Sequence, residues 1–201
     1  MLPMSPRLSI RPTSPLRFER SLCRRRSKNM VLLLNFDGVL HPNAVEFASN
    51  SAPILDAPQH NLFENNEALA TLVEQFADLR LILNTWWTYV VGIDESLRQL
   101  PRSVSSRVDG SVLPHNSCCT TFPHRISLAT DAVETSWEPI LVLDHADARY
   151  PKHILRCAFL VDPQLGLSDP RAGRALCRII SNSRLHGSSS NIGTPTSTSR
   201  W

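Results

Sequence analysis

No stretch of the chain approaches the roughly 18 uninterrupted apolar residues that a helical membrane span needs, so nothing in it reads as a bilayer crossing. The five cysteines, Cys23, Cys118, Cys119, Cys157 and Cys177, show no CxxC spacing, and no apolar signal-peptide core precedes them. An odd set of this kind suits a reducing compartment, and a cytoplasmic protein is expected. Cys118 and Cys119 are adjacent and cannot easily chelate one ion together, so they read as ordinary thiols. Lysine is almost missing, with only Lys28 and Lys152 in the chain. Acids are almost missing from the first 29 residues, where Arg7, Arg11, Arg17, Arg20, Arg24, Arg25, Arg26 and Lys28 face only Glu19. That segment carries +7 of a chain whose net charge is +3, which leaves −4 on the remainder. The basic charge therefore belongs to a tail, and basicity of the whole chain is no argument for a folded nucleic-acid face. His41, His115, His124 and His153 lack metal-ligand spacing with one another and read as loop residues.

What is present fits one domain of ordinary size: 201 residues, 42% hydrophobic and 19% charged. Residues 1–29, rich in Arg, Pro and Ser, have no apolar periodicity and are expected to be a disordered basic segment. A true start at Met30 and an organellar transit peptide are two readings of that segment that stay open. Residues 182–201 are dominated by Ser, Thr, Asn and Gly and are expected to be a disordered tail, which leaves 30–181 to fold.

Within that span the continuous apolar run from Met30 to Leu34 predicts a strand covered on both faces, and it stops at the polar Asn35-Phe36-Asp37-Gly38 turn. A Pro- and Asn-rich loop follows. Leu62, Leu69, Leu72, Val73 and Phe76 recur at helical spacing, and Leu79 to Leu83 predicts a second strand ending at Asn84-Thr85. A helix is expected over Val90 to Leu100, stopped by Pro101, then a short strand around Val108 to Leu113 and a helix over Arg125 to Thr135. Pro139 to Leu143 predicts another buried strand, ending at Asp144-His145. Ala158 to Val161 predicts the last strand and Arg171 to Ile180 the last helix. Strands alternating with helices imply an α/β fold, a Rossmann-like doubly wound parallel sheet with helices on both faces and right-handed crossovers.

In such a sheet ligands bind at the carboxyl ends of the strands, near the switch in strand order. Three predicted strands end there in polar residues: Asn35 and Asp37, Asn84 and Thr85, and Asp144, His145 and Asp147. One strand ending in an acid is commonplace as a cap or turn, but three converging ends point to a site. Trp86-Trp87 has the composition of a base-stacking platform, although Trp at such a position reads first as packing.

These residues carry a resemblance. Val31 to Pro42, Val-Leu-Leu-Leu-Asn-Phe-Asp-Gly-Val-Leu-His-Pro, resembles the first motif of the haloacid dehalogenase (HAD) superfamily, which normally reads Asp-x-Asp-Gly-Val-Leu. It is most similar to small bacterial members related to the domain found in RNA-repair proteins. Leu83-Asn84-Thr85-Trp86-Trp87 resembles the second motif, Ile140 to Asp147 the acidic fourth, and Asp162 to Leu167 a late Asp-Pro-x-x-Gly-Leu segment. The likeness spans residues 30–181 and implies a HAD-like domain with a small or absent cap.

The resemblance implies a Mg²⁺-dependent phosphatase or phosphotransferase ancestry. The family's first carboxylate attacks phosphorus to form an aspartyl phosphate, and that position is Asn35, a neutral amide and a poor nucleophile. Asp37 matches the general acid and base, Thr85 the hydroxyl that binds the phosphoryl group, and Asp144 a metal ligand, with Asp37 and His145 beside it in the metal shell. The family's basic residue has no lysine to match, and Arg125 is the best substitute for binding phosphate. Two functions follow: a degenerate domain that keeps a phosphate pocket without covalent catalysis, or a phosphohydrolase in which Asp37 activates water directly. The implied ligand is a phosphorylated small molecule or nucleic-acid end.

Overall fold

Val31–Leu34 forms β1, and all four residues are buried. It lies at the centre of a five-stranded, all-parallel sheet with β4 (Arg80–Leu83) and β5 (Val108–Ser111) on one side and β6 (Ile140–His145) and β7 (Ala158–Val161) on the other, in the order β5-β4-β1-β6-β7. The architecture comes from a computed structural model that describes residues 30–47, 53–113 and 124–186.

The apolar run of β1 has to be covered twice because its side chains alternate between faces. Leu32 and Leu34 join a core with Leu69, Leu72 and Val73 of α1 (Asn66–Gln75), Val104 of α4 (Arg102–Ser105), and Leu176 and Ile180 of α6 (Pro170–His186). Val31 and Leu33 face a smaller core with Val142 and with Ala129, Ile126 and Val133 of α5 (Arg125–Thr135). Helices therefore cover both faces, as in a Rossmann-like α/β fold. After β5 the chain returns to lay β6 against the free edge of β1, so the switch in strand order falls between β1 and β6.

The expected single helix over 90–100 is broken: α2 (Trp86–Val90) ends where it was to begin, α3 (Ile93–Arg98) lies within it, and α4 follows beyond Pro101. Gly92, at φ 89°, turns the chain between the first two, and Pro101 precedes the third. The loop expected after β1 contains a two-stranded antiparallel ribbon, β2 (Val45–Glu46) with β3 (Ile54–Leu55), the small insertion that stands between β1 and α1. Strand β6 continues through Asp144 and His145, which sequence reasoning put just beyond it, and α6 continues to His186. No helix among the described residues is long and apolar enough to cross a membrane. Residues 1–29 and 187–201, together with His115, Cys118 and Cys119, lie outside the described residues.

Candidate functional site

The switch point brings Asn35, at the end of β1, against Asp144, at the end of β6. The Asn35 amide nitrogen donates to Asp144 Oδ1 at 2.9 Å and to the backbone carbonyl of Asp37 at 2.7 Å. Both neighbours are acceptors, so the amide orientation is dictated by its surroundings: turned over, its oxygen would face two oxygens. Asn35 Oδ1 is buried without a partner among the described residues.

Asp144 is fully buried and its carboxylate is saturated. Oδ1 accepts from Asn35 Nδ2 at 2.9 Å, from the His145 backbone N–H at 2.8 Å and, more weakly, from Arg125 at 3.4 Å. Oδ2 accepts from the other terminal nitrogen of Arg125 at 2.5 Å and from the Tyr150 hydroxyl at 2.8 Å. Arg125, in the first turn of α5, also donates to the Asn84 carbonyl at the end of β4. Burial works against the guanidinium's charge, but attraction to Asp144 and the hydrogen bonds outweigh it and hold Arg125 above its ordinary pKa. Burial, then Asp144, pushes the Tyr150 hydroxyl far above its usual range, which keeps it a donor, while Asn84 Nδ2 donates to its oxygen at 3.0 Å.

Asp37 is anchored from the other direction. His41 Nε2 and Trp87 Nε1 each lie 3.0 Å from its Oδ1. The Phe63 backbone N–H donates to His41 Nδ1 at 3.2 Å, so that nitrogen is unprotonated and the ring hydrogen sits on Nε2, aimed at Asp37. Phe63 does this at φ 60°, the only positive φ at a described non-glycine residue. Its ring is also packed edge-on against Phe36, His41 and Trp87, which holds the strained backbone in place. Asp37 Oδ2 has no hydrogen bond among the described residues.

His41, expected as a loop residue, is thus fully buried and holds Asp37. The signal was its position four residues after Asp37 across Gly38, whose φ of 74° lets the chain fold back so that Gly38 N–H bonds the His41 carbonyl. Trp87 is packing, as read first, but its indole N–H also serves the site. Tyr150 and Asn84 complete the buried network. Tyr150 has no counterpart in the motifs, because it lies between the fourth, which ends at Asp147, and the late segment that begins at Asp162.

Thr85 is buried at the end of β4, but its hydroxyl caps α2 by accepting from the Trp87 N–H at 3.4 Å, and no bond links it to Asn35, Asp37 or Asp144. His145 lies over Gly38, where an added Cβ would come within 2.6 Å of the His145 Cβ. Its Nε2 is 3.7 Å from Asp144 Oδ1, too far for a hydrogen bond, and its Nδ1 is buried without a partner among the described residues. Burial pushes its pKa below the ordinary histidine value, and Arg125 adds to that against the pull of Asp144.

The expected metal set, Asp37, Asp144 and His145, does not form a metal-binding cluster among the described residues. A hard dication needs several free oxygen lone pairs in near-octahedral order. Asp144 accepts five hydrogen bonds, and its position is shared with a guanidinium. The residues present do not fit Mg²⁺.

Residues 31–172 match the family described as the HAD domain in Swiss Army Knife RNA repair proteins. No curated protein and no solved structure matches the chain at a significant level.

Proposed function

The chain belongs to the HAD-domain family of Swiss Army Knife RNA repair proteins, and from that membership we propose that it is a degenerate phosphohydrolase domain, impaired in covalent phosphoryl transfer. Its ligand is a phosphorylated small molecule or a phosphorylated nucleic-acid end, the latter suggested by the family's description.

One observation carries this reading: at the nucleophile position Asn35 presents a hydrogen-bond donor, committed to Asp144 Oδ1 at 2.9 Å. An attacking group needs an anionic oxygen free to reach phosphorus, whereas the only free atom of this amide is a neutral oxygen. The buried Asn35 Oδ1, Asn84 Oδ1 and His145 Nδ1 at the strand ends, unpaired among the described residues, support retained binding, since buried polar groups without partners are costly unless something polar meets them.

A second reading rests on Asp37. With Oδ1 held by His41 and Trp87 and Oδ2 without a bond among the described residues, the carboxylate is oriented to take a proton from water directly.

Phosphatase assays over a panel of phosphate monoesters, including 5′- and 3′-phosphorylated RNA ends, separate the two, with calorimetric binding of the same ligands in parallel. The first reading expects binding with no turnover above that of Asp37→Asn. Turnover that Asp37→Asn abolishes would establish the second.

A further inference from the structure

We propose that this pocket carries its own cation: the Arg125 guanidinium, with the Asn35 amide beside it, takes the place of a divalent metal, and the site assembles without one. A carboxylate offers about four lone-pair sites on its two oxygens. On Asp144 these meet two terminal nitrogens of Arg125, the Tyr150 hydroxyl, the His145 backbone N–H and the Asn35 amide. None is left for a metal.

The Asn35 amide takes the other oxygen as well. Its two hydrogens point to Asp144 Oδ1 and to the Asp37 carbonyl, the two oxygens nearest to it that a hard cation would seek. Without Asp144, the strand ends keep the neutral Asn35 Oδ1 and Asn84 Oδ1 and one carboxylate oxygen, Asp37 Oδ2, without bonds among the described residues, fewer than the six that octahedral coordination asks for.

Charge leads to the same end. Arg125 and Asp144 are both buried and paired at 2.5 Å. An entering dication would have to displace the guanidinium from its carboxylate and leave that charge buried and unpaired. The two substitutions also depend on each other. An acid at position 35 would confront Asp144 and call for a cation richer than one guanidinium, whereas an amide lets a single Arg balance Asp144.

The test uses the whole protein, stripped with EDTA. Thermal unfolding is followed with and without millimolar Mg²⁺, and the side-chain NH₂ signal of Asn35 is followed by ¹⁵N spectroscopy during addition of Mn²⁺. The expected result is an unchanged midpoint and an Asn35 signal that stays sharp. Selective broadening of Asn35 by Mn²⁺ would overturn the proposal without any variant being needed. A second arm removes the resident cation. Arg125→Met should unfold at lower temperature in EDTA and recover with Mg²⁺, because Asp144 regains free lone pairs. Should the variant not survive EDTA, the yield refolded with and without Mg²⁺ reads the same quantity. An Arg125→Met protein as stable as the parent, or one that Mg²⁺ does not help, would show that Arg125 stands in for no cation.

Discussion

Replacing Asn35 by Asp would put a carboxylate oxygen where the amide nitrogen now lies, 2.9 Å from Asp144 Oδ1 and 2.7 Å from the Asp37 carbonyl oxygen. Two attractive contacts become repulsive while side-chain volume hardly changes. Asn35→Asp should therefore lower the unfolding midpoint in EDTA, and Mg²⁺, which binds the folded state preferentially, should restore it. If the rest of the pocket is competent, phosphatase activity should rise by orders of magnitude over the parent protein, since covalent catalysis needs that carboxylate. A variant that gains Mg²⁺-dependent stability but no turnover would place the remaining defect at Arg125, whose fork is not equivalent to an ammonium. His145 gives a separate readout. Its folded pKa lies below the unfolded value of about 6.5, so the unfolded chain binds the proton first as pH falls. Stability should drop as pH goes below about 6.5, until the folded imidazole also protonates. Unfolding midpoints of His145→Gln should change less over that window than those of the parent. Equal slopes would mean that His145 titrates alike in both states.

At the scale of elements, the site depends on the turn after β1 being clamped from the far side of the sheet. Gly166, in the loop between β7 and α6, has φ 54°, and a Cβ there would come within 2.3 Å of the Val39 carbonyl oxygen. That oxygen already accepts from Leu167 N–H at 3.0 Å and from Asn65 Nδ2 at 3.1 Å. Gly166→Ala should cost more than about 1 kcal/mol, because both the backbone conformation and the space exclude a side chain. Denaturant titration checks it, and a change within error would mean that the loop can move away. Elements of this kind were unevenly legible. β1, α1 and β7 were readable because an unbroken apolar run or a clear helical face leaves one way to bury it. The division of 86–105 into three helices was not, since it rests on Gly92 adopting a positive φ, which residue identity permits but does not require. The same holds for the site. Asn35, Asp37 and Asp144 stood out as polar ends of apolar strands. His41 and Tyr150 acquire partners only through tertiary contacts, and Arg125 could be named but its commitment to Asp144 could not.

For the whole molecule, the parallel order β5-β4-β1-β6-β7 puts the end of the central strand beside the end of the first strand on the other side, which is why residues 109 positions apart in sequence share a hydrogen bond. Met30 is buried, its carbonyl accepts from the Arg80 N–H at 3.1 Å, and the Val31 N–H donates to the Pro139 carbonyl at 3.0 Å. Residues 1–29 carry eight basic side chains against one acid and no apolar periodicity, so burial gives them little reason to join the core. What could hold them is attraction between their +7 and the −4 of the remainder, and charges on solvent-exposed surfaces are largely screened beyond about 8 Å at physiological ionic strength. A chain starting at Met30 should therefore unfold at the same temperature as the full chain in physiological salt, with the same far-ultraviolet circular dichroism. A small difference that appears only at low ionic strength would belong to that electrostatic attraction. A large fall in the midpoint that persists in salt would mean that the first 29 residues pack on the domain through apolar contacts, contrary to this account.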